Sequence, residues 1–219
     1  SVTVTDSHGC TNSISTAISS SGGPTITLTG TNVACFGGAT GIATANAVGG
    51  IAPYTYSWSP TGGTALTASG LIAGTYNLIA TDVSGCAGSG VITITQPLAP
   101  LTAIISSSNV TCNGLTNGSA SVTASGGTSG YTYNWSPNGG IGATANTLSA
   151  SIYSVIVTDT KNCTTTATVN ITQPLALSAS VLATNITCNG LNNGSASVTA
   201  SGGNGGYTYN WLPSGGNSI

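Results

Sequence analysis

The side chains able to carry acid–base, metal or sulfur chemistry are few and spaced far apart. They are Asp6, Asp82 and Asp159, one histidine (His8), one cation (Lys161), and six cysteines at 10, 35, 86, 112, 163 and 188. No carboxylate has a second carboxylate, a histidine and a nucleophile recurring beside it, so no triad or acid–base pair can be assembled within a unit, and the chain reads as no enzyme. Calcium wants six to eight oxygens and usually several carboxylates, far more than one isolated Asp offers. Zinc is no better served, since there is no C-x-x-C and only His8. The expectation is therefore no metal and no cofactor.

The spacing of these residues shows what they are for. Asp6-Ser7-His8-Gly9-Cys10, Asp82-Val83-Ser84-Gly85-Cys86 and Asp159-Thr160-Lys161-Asn162-Cys163 are equivalent segments. Asp at the head can accept turn N–H bonds, and Gly or Asn in fourth place suits the positive φ that closes a type I turn with a G1 bulge. All three acids, Asp6, Asp82 and Asp159, are read as turn-forming.

Composition narrows the function further. Charged residues are 2% of the 219 residues, against roughly 25% in ordinary soluble domains. One Lys cannot displace the counterions of a nucleic acid, so no nucleic-acid partner is expected. No apolar run approaches the roughly 20 residues of a spanning helix, and no basic amphipathic helix is present, so no membrane insertion is expected in this segment. A neutral, hydroxyl-rich surface puts little repulsion between copies. Together these point to an extracellular, secreted or cell-surface polymer, with itself as the first partner.

The elements that hold these residues recur with a fixed period. Trp58, Trp135 and Trp211 lie 77 and 76 residues apart, and Cys35, Cys112 and Cys188 follow the same spacing. NGSASVTASGG begins at Asn117 and at Asn193; YTYNW begins at Tyr131 and at Tyr207, with YTYSW at Tyr54. The organisation read from this is the C-terminal strands of a preceding repeat at 1–23, full repeats at 24–97 and 98–174, and the N-terminal part of a following repeat at 175–219. Strands of the first and last pieces could complete one another between copies, but an excerpt of a longer repetitive chain is the preferred reading.

Within a repeat the hydrophobic period is two. Ala120, Val122 and Ala124 share one face, as do Tyr131, Tyr133 and Trp135, and Tyr153, Val155 and Val157. Gly-Gly, Asn-Gly and Pro break these runs. Six or seven strands in about 76–77 residues, with Trp on the third, predict an all-β array of tandem immunoglobulin-like antiparallel sandwiches. Tyr76 and Tyr153, read as starting a sixth strand, suit a tyrosine corner. Gln96-Pro97 and Gln173-Pro174 leave almost no slack between repeats, as a semi-rigid rod requires.

The segments VTCNGLTNGSASVTASGG, GYTYNWSP, GTYNLIATDVSGC and VITITQP resemble the SprB repeat, named for a surface adhesin of gliding Bacteroidota. The resemblance runs over essentially the whole chain. It implies secretion to the cell surface, by the type IX route usual in that phylum, and a part in adhesion, motility or extracellular fibres. The first repeat departs from the pattern with ACFGGATGIATANAVGG.

Two sets of residues carry competing readings. Cys10, Cys35, Cys86, Cys112, Cys163 and Cys188 are disulfide candidates, because so small a core commonly needs a staple. The recurrence suggests Cys35–Cys86 and Cys112–Cys163 within repeats. Immunoglobulin topology instead puts these positions at opposite poles and favours a staple from one repeat to the next. A third scheme, Cys10–Cys35, Cys86–Cys112 and Cys163–Cys188, uses all six. The aromatics Tyr54, Tyr56, Trp58, Tyr131, Tyr133, Trp135, Tyr207, Tyr209 and Trp211 are core residues of a buried strand; exposed, they would suit stacking on surface glycans. Asn109, Asn117, Asn134, Asn162, Asn170, Asn185 and Asn193 satisfy N-x-S/T.

Overall fold

The computed structural model describes residues 1–17 and 22–212. The chain divides into two compact units, Ser1–Gln96 and Pro97–Ile219. Among the described residues the regular elements are all strands, and every pairing is antiparallel.

The first unit opens with a hairpin of β1 (Val2–Thr5) and β2 (Thr11–Ile14), paired from Val2 with Ile14 to Thr5 with Thr11. A complete six-stranded repeat follows: β3 (Thr25–Thr31), β4 (Gly41–Val48), β5 (Thr55–Ser59), β6 (Thr67–Leu71), β7 (Gly74–Thr81) and β8 (Ala87–Ile94). One sheet has the order β3-β4-β6 and the other β5-β7-β8. The second unit repeats this pattern with β9 (Thr102–Ser108), β10 (Gly118–Ser125), β11 (Thr132–Ser136), β12 (Thr144–Leu148), β13 (Ser151–Thr158) and β14 (Thr164–Ile171). Its sheets are β9-β10-β12 and β11-β13-β14. A further hairpin, β15 (Ser178–Thr184) with β16 (Ser195–Ser201), matches β9 and β10 of the preceding repeat. The molecule is thus an array of tandem β-sandwich repeats with immunoglobulin-like strand order.

Alternation makes the core. Tyr153, Val155 and Val157 on β13 are buried, as are Ala120 and Val122 on β10, while the residues between them are half-buried or exposed. Trp135 pairs across the sheet with Val155, and Trp58 with Leu78. Each indole is buried, 4% and 5% exposed, and packs against the small inner residues of the facing sheet, Ala120 and Ala145 or Ala43 and Ala68. In a core built largely of Ala and Val, the Trp is the largest apolar area taken from water, on the order of 4 kcal/mol by area. Its polar edge is satisfied, with Trp135 Nε1 donating to the Gly142 carbonyl at 2.9 Å and Trp58 Nε1 to that of Ala65 at 3.0 Å. No buried side-chain nitrogen or oxygen among the described residues lacks a partner.

The tyrosine corner is present, one strand earlier than the sequence suggests. Tyr76 Oη donates to the Ile72 carbonyl at 3.0 Å, and Tyr153 Oη to that of Ser149 at 3.2 Å. These tyrosines lie on the fifth strand of each repeat, because the chain runs from β5 to β6 and from β11 to β12 without an intervening strand.

Candidate functional site

The recurring Asp, Gly-Gly, Tyr and Cys residues gather around two loops in each complete repeat. One is the glycine loop between β10 and β11, matched by the loop between β4 and β5. The other is the turn between β13 and β14, matched by that between β7 and β8.

Each Asp organises its own turn first. Asp159 Oδ1 accepts the N–H groups of Lys161 at 2.8 Å and Cys163 at 2.9 Å. Asp82 Oδ1 accepts those of Ser84 and Cys86, and Asp6 Oδ1 those of His8 and Cys10, all four at 2.9 Å. The fourth turn positions have the expected positive φ: 85° at Gly9, 83° at Gly85 and 62° at Asn162.

The second carboxylate oxygen does something the turn motif does not announce. Asp159 Oδ2 accepts the N–H of Thr128 at 2.8 Å, and Asp82 Oδ2 that of Ile51 at 3.0 Å. One carboxylate therefore binds the turn to the glycine loop. Both carboxylates are buried, 3% and 5% exposed. The residue before each donor must be glycine: a Cβ on Gly127 would stand 2.6 Å from Asp159 Oδ2, and one on Gly50 2.8 Å from Asp82 Oδ2. The signal for this clasp was in the sequence, since Gly50 precedes Asp82 by the same interval as Gly127 precedes Asp159.

All three acids are held below their ordinary value of 3.8. For Asp82 the main cause is the Ile51 N–H, followed by that of Cys86. For Asp6 it is the Cys10 N–H, followed by that of His8. For Asp159 burial is the largest influence and opposes ionisation, but the N–H groups of Thr128, Cys163 and Lys161, with the Lys161 charge, outweigh it. A carboxylate that accepts this many N–H bonds is a fixed structural anion, not a proton donor poised for chemistry.

The aromatic motif divides by position. Its Trp fills the core in the complete repeats, while Tyr56, Tyr131 and Tyr133 are half-buried and pack against it. The first Tyr of the motif also makes a polar contact, since Tyr54, Tyr131 and Tyr207 donate their hydroxyls to the carbonyls of Gly49, Gly126 and Gly202 at 2.6, 2.7 and 2.6 Å. That latch fixes the glycine loop from the other side. In the last hairpin's continuation, Tyr207, Tyr209 and Trp211 are half-buried.

At the opposite end of each repeat the loop after the first strand is tied to the exit of the last. Val110 N donates to the Thr172 carbonyl, Thr172 N to Asn109 Oδ1, and Gly114 N to Gln173 Oε1 at 2.8 Å. The first repeat matches this with Val33 N to the Thr95 carbonyl, Thr95 N to Asn32 Oδ1 and Gly37 N to Gln96 Oε1. Gln96 and Gln173, the only glutamines in the sequence, are thus loop caps as well as linker residues. Among the N-x-S/T asparagines, Asn117 and Asn193 hold the hydroxyls of Thr111 and Thr187 through Nδ2. Both amides are engaged in loop structure.

This arrangement places the cysteines. Cys112 sits in the loop tied to residues 172–174, whereas Cys163 immediately precedes β14, whose eight residues span roughly 25 Å. A disulfide needs Cα atoms within about 7 Å, so Cys112–Cys163 cannot close within the repeat. Cys35 and Cys86 stand at the two ends of β8 in the same way. Cys10, Cys112 and Cys188 are exposed. No group of three or more His, Cys, Asp or Glu side chains able to hold a metal ion occurs among the described residues.

Comparison with known proteins gives one positive finding. The family model of the SprB repeat matches three times, over residues 27–63, 104–140 and 180–216, together about half of the chain. Each match begins in the first strand of a repeat and runs through the glycine loop and aromatic motif. No curated protein matches.

Proposed function

Because the chain belongs to the SprB repeat family, a structural repeat of secreted and cell-surface proteins, we propose that it is a non-catalytic, self-associating part of an extracellular filament. The observation that carries this reading is where the charge is. A complete repeat has one carboxylate, Asp82 or Asp159, and each is buried in a backbone clasp. What the repeats turn outward is neutral apart from Lys161 in the second of them. On β13 and β14 it is Ser154, Ile156, Thr166 and Thr168, with Ile156 43% exposed. Such faces do not repel their copies, and contacts between neighbouring repeats or copies, strand complementation among them, are the partners this reading names.

Sedimentation of the 219-residue protein over a hundredfold concentration range, with electron microscopy of the concentrated sample, tests this. Concentration-dependent growth into elongated assemblies is expected. A monomer at every concentration removes the self-associating reading.

The second reading is a stalk or glycan-binding repeat of a surface adhesin, favoured by the family and by the half-exposed tyrosines of the aromatic strand. Binding on a glycan array that Tyr133→Ala abolishes, without loss of fold, would replace the first reading with this one.

A further inference from the structure

The chain between β14 and β15 is irregular over residues 172–177, and two of these residues have little freedom of their own. The proline ring fixes φ at Pro174 and keeps Gln173 extended. Hydrogen bonds to both sides hold what remains. Toward the second repeat, Gly114 N donates to Gln173 Oε1 at 2.8 Å and Asn113 Nδ2 to the Pro174 carbonyl at 3.0 Å. One residue further, the Leu175 carbonyl accepts the N–H of Gly203 at 2.9 Å, from the glycine loop after β16. The next residue of that loop, Asn204, donates from Nδ2 to the Thr111 carbonyl at 2.7 Å. Thr111 is itself fixed, its N–H and Oγ1 bound by the Asn117 side chain at 3.1 and 2.6 Å.

These bonds close a circuit. It runs from Thr111 to Asn113, across to Pro174 and Leu175, across again to Gly203 and Asn204, and back to Thr111. Each bond lies at the surface and is weak alone. In a closed circuit every partner is already placed by the others, so the last bond to form orders little that was free. Neither amide is needed for the sandwich itself. The first repeat has Phe36 where the second has Asn113, and the complete repeats have Ile51 and Thr128 where Asn204 stands.

We propose that this circuit clamps the joint between β14 and β15. The Gln173–Pro174 linker is a fixed corner and not a hinge, and the first loop of the second repeat is the docking surface for the glycine loop that follows β16. A short linker limits reach; the two amides limit direction. The clamp is internal to the chain and holds whether or not copies of it associate.

Nuclear magnetic resonance of the nitrogen-15-labelled, 219-residue chain tests this. In the parent, heteronuclear NOEs at Leu175, Ala176 and Leu177 should match those of β13 and β14, and the Gly203 amide should exchange slowly. In the double variant Asn113→Ala, Asn204→Thr, the NOEs of residues 175–177 should fall toward loop values and Gly203 exchange should quicken about tenfold or more. Gly127, whose N–H is bonded to the Ala99 carbonyl in the same way, should be unchanged. A mobile linker in the parent overturns the proposal, as does an unchanged Gly203 in the double variant. So does loss of protection along the β15–β16 ladder, which would mean that the amides hold the hairpin and not the joint. If the double variant fails to fold, Asn204→Asp, equal in size but without a side-chain donor at neutral pH, gives the same decision at Gly203.

Discussion

Thr128 and Asp159 are joined by a hydrogen bond of 2.8 Å from backbone N–H to Oδ2, and that bond makes the stability of the repeat depend on a single proton. Asp159 and Asp82 are held below 3.8 in the folded chain, so the unfolded chain binds protons more readily and acid favours unfolding. Stability is expected to be level above about pH 5 and to fall as pH drops below about 4 toward the folded-state values. Thermal melts between about pH 2 and 8 read this directly. The double variant Asp82→Asn, Asp159→Asn should melt several degrees lower at neutral pH and lose most of its acid dependence; an acid slope as steep as the parent's would show that other groups carry it.

Gly127 is the tightest point of the clasp. Its φ is 58°, and a Cβ there meets the Asp159 carboxylate. Gly127→Ala should cost about 1–2 kcal/mol from the left-handed backbone alone, and more because the carboxylate must move. Gly140, at φ 83° with open space around it, supplies the control. Urea melts of the two alanine variants should separate, with Gly127→Ala the weaker and its acid dependence reduced; equal losses would mean that the Asp159 contact adds nothing.

Trp135→Ala should cost about 3–5 kcal/mol, the range for emptying an aromatic site in a packed core. Thr166→Ala, on the exposed face of β14, should stay within about 0.5 kcal/mol. Chemical denaturation followed by circular dichroism distinguishes them. A mild Trp135 effect would mean that the indole is not part of the packed core.

Tyr153→Phe removes only the hydroxyl that binds the Ser149 carbonyl. The expected loss is about 0.5–1.5 kcal/mol. Differential scanning calorimetry should show a lower melting temperature with the unfolding cooperativity retained; an unchanged melting temperature would leave the corner without a stabilising role.

How much of the repeat was legible in the sequence depended on distance along the chain. Alternation at Tyr153, Val155 and Val157 names the inner face of a strand, because side chains on a strand point to opposite faces in turn. The turn at Asp159 was legible for the same local reason: acceptor, donors and the positive-φ residue all fall within one short segment. The reach of Asp159 to Thr128 was not, because three strands from both sheets lie between them in the chain, and one sequence reveals such a pairing only through the matched Gly-Gly spacing. The within-repeat cysteine pairs suggested by recurrence meet a different obstacle: equal spacing says that Cys112 and Cys163 are equivalent to Cys35 and Cys86, and nothing about the strand that separates them.

The inward-turned carboxylates have one more outcome. At neutral pH a surface coat built of such repeats would present almost nothing that dissolved ions can address. It would be the same coat in rainwater and in brine, and the divalent cations that cross-link carboxylate-rich cell envelopes would find no grip on it.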